Sequence, residues 1–111
     1  MKVKTNELSG AALDWAVAKC EGRQEPEVVN NFAVAWYTWP NTHYSTDWAQ
    51  AGPIIQREKI NIQSVLCDAR EFWTASMYLA ENEGQTPLIA AMRCYVASKL
   101  GDEVEIPEGL K

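Results

Sequence analysis

The chain has 111 residues, 47% of them hydrophobic and 10% aromatic, with 10 Lys and Arg against 15 Asp and Glu for a net charge of −5. That length fits one domain over residues 1–111, enough to bury one core. The acidic balance excludes general nucleic-acid binding, which needs a basic footprint. The aromatic content argues against disorder, and no apolar run approaches the ~20 residues that cross a bilayer.

At the start, Met1-Lys2-Val3-Lys4-Thr5-Asn6-Glu7 has no apolar stretch behind its lysines, so no signal peptide is expected. A first helix is expected over about residues 8–20, capped by Asn6 or Ser9 and stopped by Gly22. Leu8, Ala12, Leu13, Trp15, Ala16, Val17 and Cys20 form its apolar arc. Glu7, Asp14 and Glu21 recur every seven residues on the other side, which predicts an acidic outer stripe. Cys20, Cys67 and Cys94 are odd in number and form no C-x-x-C pair. They read as three core thiols in a reducing cytoplasm, not as a zinc or redox motif.

Residues 28–39 are rich in β-branched and aromatic side chains, and Phe32, Val34, Trp36 and Thr38 share one side, so a strand is expected over about 31–39. Residues 40–53 read as a long connection, with Pro53 placed to open a short helical turn through Ile54, Ile55 and Arg57. From Ile60 the pattern alternates, which starts a second strand. Residues 67–71 look like a turn, and Phe72 to Leu79 put Trp73, Ala75, Met77 and Leu79 on one face of a third strand. A helix over 64–80 also fits the spacing, and the hairpin is the preferred reading. Glu81 and Glu83 fall in a turn after it.

The last helix has the clearest punctuation. Thr86 caps it, Pro87 suits its first position and Gly101 ends it. Leu88, Ile89, Met92, Tyr95, Val96 and Leu100 form an apolar face, while Ala90, Cys94, Ala97 and Ser98 form a small, uncharged one. Such a helix is covered on more than one side, by the chain's own sheet and first helix or by a second subunit in a homodimer. Beyond it, acids alternate with Val104 and Ile106, as a solvated end or a short edge strand would. The order α-β-loop-β-β-α predicts an α+β fold: a small antiparallel sheet of about three strands packed with an N-terminal and a C-terminal helix.

Three stretches carry a family likeness: residues 2–18 with Ala11-Ala12-Leu13-Asp14-Trp15-Ala16-Val17-Ala18, residues 44–55 with Tyr44-Ser45-Thr46-Asp47-Trp48-Ala49-Gln50-Ala51-Gly52-Pro53, and residues 86–101 with Thr86-Pro87-Leu88-Ile89-Ala90-Ala91-Met92-Arg93. Together they resemble the NinX-like phage proteins, a family of tailed phages and prophages. The likeness lies at both ends and in the middle of the chain, outside residues 61–85. The family pattern has Gly-Gly where this chain has Ala51-Gly52. The resemblance implies a phage or prophage origin and a bacterial cytoplasm, and it transfers no catalytic residue.

The residues themselves assign no catalytic, metal or cofactor role. His43, Ser45 and Asp47 ride one short loop without a G-x-S-x-G elbow, whereas triad members come from separately supported elements, so a solvated loop is expected there. No phosphate-binding loop or metal-ligand spacing occurs. Candidate binding residues are therefore drawn from the aromatic connection and the last helix: Trp39, His43, Tyr44, Asp47, Trp48, Thr86 and Arg93. Trp and Tyr are enriched at binding hot spots, and a Thr86-capped helix start can hold an anion. The partner expected is a host protein, with a small anionic, nucleotide-like ligand as the alternative and an enzymatic role third.

Overall fold

The structure, a computed structural model, describes residues 2–21, 28–29, 32–33, 43–78 and 80–106. It is an α+β fold with antiparallel sheets, as the alternation of periods predicts. Its centre is a three-stranded sheet, β4 (Asn61–Cys67), β5 (Arg70–Met77) and β6 (Ala80–Gly84), in the order β4-β5-β6. The hairpin expected at 60–79 is present, and the alternative helix over 64–80 is not. Register places Ile62 opposite Ala75 and Ser64 opposite Trp73, so Trp73, Ala75 and Met77 share the core face. The turn is tighter than expected, only Asp68-Ala69, both at positive φ (50° and 64°). That backbone matches the right-handed twist of a hairpin but is strained for alanine.

One strand departs from expectation. β6 occupies the place read as a turn around Glu81 and Glu83; its residues have poor strand propensity, and pairing with β5 plus packing on the last helix overrides it. The expected strand over 31–39 falls mostly outside the described residues. Within it, β3 (Phe32–Ala33) pairs with β2 (Val28–Val29). The acidic tail does form a short strand, β7 (Glu103–Glu105), on β1 (Lys2–Lys4). Lys2 faces Glu105 and Lys4 faces Glu103, with Val3 opposite a buried Val104 between them. Opposite charges across a strand pair stabilise the register. Thr5, which opens a 3-10 turn (Thr5–Glu7), locks this ladder to the end of the last helix: its hydroxyl donates to Gly101 O at 2.6 Å and its N–H to Asp102 O at 2.8 Å.

The helices are α1 (Gly10–Cys20), α2 (Trp48–Glu58) and α3 (Pro87–Leu100). α3 follows its punctuation. Thr86 Oγ1 accepts from Ile89 N–H at 3.1 Å, and Gly101 at φ 88° ends the helix in a conformation that only glycine adopts without strain. The chain's own elements cover both of its sides: Ala90 and Cys94 are buried, Cys94 Sγ donates to Ala80 O of β6, and α1 packs on the other side. Gly84 permits this close fit, since a Cβ there would lie 2.7 Å from Ala90 N.

α1 corrects the acidic-stripe reading. Glu7 is exposed, but Asp14 is only 8% exposed, and Glu21 is engaged by Arg57 and by the hydroxyl of buried Tyr95. The three-thiol core is corrected too: Cys94 is buried and Cys20 half-buried, but Cys67 is exposed at the hairpin tip. No helix among the described residues is long and apolar enough to cross a membrane.

Candidate functional site

Of the long connection read over 40–53, residues 40–42 lie outside the described residues; 43–47, read as a solvated loop, form a turn that leads into a helix. Asp47 is the N-cap of α2: its Oδ1 accepts from Ala49 N–H at 2.9 Å. Pro53 lies inside α2 rather than opening it. Pro53 supplies no N–H and Gly52 has low propensity, so α2 depends on its cap and on buried Ala51 and Ile54.

The turn before α2 is anchored, not solvated. Tyr44 and Ser45 are buried. Ser45 N–H donates to Asp14 Oδ1 at 2.8 Å, joining the turn to the middle of α1. His43 N–H donates to Gln50 Oε1 at 2.8 Å, and His43 O accepts from Thr46 and Asp47 N–H. Burial raises the pKa of Asp14 above the ordinary carboxylate range, and the hydrogen bond from Ser45 opposes that rise. Asp14 is thus a buried acceptor that fixes a surface turn. Its periodic placement on the polar side of α1 hid this role; the signal for it is a lone acid flanked by Leu13 and Trp15.

Trp48, the first residue of α2, stands 55% exposed on this anchored turn. Ala49, Pro53 and Gln56 are exposed along the same helix, and Arg57 is its first charged residue. A Cβ on Gly52, one turn after Trp48, would meet nothing within 4 Å, so this part of α2 is uncovered. The result is an uncharged ledge with a large aromatic ring at its end. The far end of α2 is fixed by Arg57, whose guanidinium bonds Glu21 at 2.6 and 3.1 Å and the Tyr95 hydroxyl at 3.1 Å. Sequence spacing gives no hint of this cluster, because its members come from the C-cap of α1, from α2 and from α3.

The other candidates lie elsewhere. Trp39 is outside the described residues. Thr86 spends its side-chain oxygen on its own helix. Arg93 is a crosslink: Nε donates to Leu8 O at 2.7 Å and Nη1 to Glu83 O at 2.9 Å, and burial lowers its pKa. Arg93 also lines a groove of about 1080 Å³ with Lys4 and Arg70, but Glu71, Glu81, Glu83, Asp102 and Glu103 line it too. None of His43, Tyr44, Asp47 and Trp48 reaches this groove. Among the described residues no three of His, Cys, Asp and Glu are grouped as a metal ion would require.

A family model described as "Bacteriophage P22, NinX" matches residues 4–99. The match runs through residues 61–85, which the three stretches quoted above do not cover. No curated protein matches the chain.

Proposed function

Because the chain belongs to the phage NinX family, we propose that it is a small accessory protein of the bacterial cytoplasm that acts by binding a host protein, to blunt a defence or redirect a host process. The observation that carries this reading is Trp48, a large apolar ring 55% exposed on a backbone that Asp14, Asp47 and Gln50 hold in place. Aromatic anchors on rigid supports bind with little loss of side-chain entropy. The uncharged ledge of Ala49, Pro53 and Gln56 suits the centre of a protein interface, where charge is depleted. Asp47, which caps the helix that Trp48 opens, and His43, in the turn before it, are the polar groups nearest in the chain to serve its rim.

The alternative, a nucleotide-like ligand, would draw on Arg93 and the start of α3. The groove there sets five carboxylates against three cations, and phosphates would meet repulsion. The protein-partner reading is therefore preferred. Immobilised chain should retain a discrete protein from bacterial lysate, and Trp48→Ala, folded, should lose it. Native mass spectrometry that instead finds a stoichiometric small molecule would transfer the function to the groove.

A further inference from the structure

The two edges of the central sheet are built differently. β6 carries Glu81 and Glu83, its Glu83 carbonyl is occupied by Arg93, and it packs against the 3-10 turn. Charge and cover of this kind keep other strands from adding to an edge. β4 has neither. Its seven residues, Asn61-Ile62-Gln63-Ser64-Val65-Leu66-Cys67, contain no charge and no proline, and five of them are exposed. β5 occupies one side of it, and among the described residues no strand pairs with the other. Leu66, on the same face as Ile62, is 71% exposed.

We infer that β4 pairs with β4 of a second copy, antiparallel about a two-fold axis through Ser64, to make a six-stranded sheet. The strand is self-complementary in that register. Ile62 falls opposite Leu66, Gln63 opposite Val65, Asn61 opposite Cys67, and Ser64 opposite itself, so apolar meets apolar on one face and no like charges meet. Faces must match across a two-fold perpendicular to the sheet, because residues directly opposite in an antiparallel pair share a side. The α3 helices of both copies then lie on one side of the joined sheet. A chain of net charge −5 repels its copy, and β4 is a stretch where that repulsion is locally absent. This surface is separate from Trp48.

Sedimentation or light scattering of the full chain tests it. At about 100 μM the chain should have twice the 12.5 kDa mass of a monomer, since a dimer with Kd near 1 μM would be almost complete. Ser64→Lys places two ammonium groups face to face at the axis and should give a monomer with unchanged circular dichroism. Glu81→Lys on the opposite edge should remain dimeric. If Ser64→Lys fails to fold, amide exchange of the wild type decides: the alternate backbone N–H groups of β4 that face its open edge, not those already bonded to β5, should become protected with rising concentration. A monomeric wild type, a dimer indifferent to Ser64→Lys, or exchange at β4 independent of concentration would each overturn the inference.

Discussion

α2 and α3 are both capped at the N-terminus by a side-chain oxygen, yet they serve opposite ends. α3 buries Leu88, Ala90, Ala91, Met92, Cys94, Tyr95 and Val96 between the sheet and α1; of its two cations, Arg93 is a part-buried crosslink and Lys99 is exposed in the last turn. α2 buries Ala51 and Ile54 and presents Trp48 to solvent. One helix is enclosed by the fold, and the other rests on it with an apolar ring outward. The difference separates stability from recognition: substitutions on α3 should unfold the chain, while the right substitution on α2 should leave a folded protein that has lost its partner.

The largest effect tests that α3 is enclosed. Ala90→Glu should cost about 3–5 kcal/mol, because the carboxylate would be buried without a partner; a urea melt close to wild type would show that the helix is not enclosed. Gly84→Ala follows. The added methyl meets the backbone of Ala90, which cannot rotate away as a side chain would, so a loss of about 1–3 kcal/mol is expected. A neutral result would mean that β6 and α3 are less closely apposed.

Most of α3 was legible in the sequence, and most of α2 was not. Thr86, Pro87 and Gly101 are local signals that act through backbone geometry, and they retain their meaning whatever surrounds them. Gly52 and Pro53 are local signals as well, but they argue against a helix that the Asp47 cap and the burial of Ala51 and Ile54 nevertheless stabilise. Likewise β6 has the composition of a turn and becomes a strand because β5 lies beside it. The hairpin was readable from its period of two. The Asp14–Ser45 bond and the Arg57–Glu21–Tyr95 cluster were not, because each joins residues far apart in the chain. Of the candidate site, Trp48 was legible from the sequence as a candidate binding residue, and the structure exposes it; the ledge beside it is not legible, because Gly52 and Pro53 hide the helix over 48–58.

The support beneath α2 should be measurable through Asp14. Asp14→Ala leaves the buried Ser45 N–H unpaired and should cost about 1–3 kcal/mol. Asp14→Asn retains an acceptor oxygen and should cost less. Because the folded pKa is raised, the native state binds the proton more tightly than the unfolded chain. The contribution of Asp14 is therefore fully present below the ordinary carboxylate pKa and is lost as pH rises through the raised value. Over that window Asp14→Asn should flatten the slope of stability against pH; an unchanged slope would contradict the burial of this carboxylate.

Thiol chemistry distinguishes enclosed from open surface without altering stability. Burial pushes Cys94 up to about 11 and, with Glu21 adding to it, Cys20 up to about 12. Both should alkylate slowly in the native protein, while exposed Cys67 reacts first. Rapid modification of Cys94 in folded protein would place α3 in reach of solvent.

The most direct test is capture of a partner from bacterial lysate by immobilised wild type and Trp48→Ala, after a melt of each. The substitution should shift stability by no more than about 0.5 kcal/mol, as expected for a surface position. It should weaken retention of the partner by roughly thirtyfold, the loss that corresponds to about 2 kcal/mol at a hot spot. Equal retention by a folded Trp48→Ala protein, or a collapse of its melting temperature, would contradict the assignment of recognition to this end of α2.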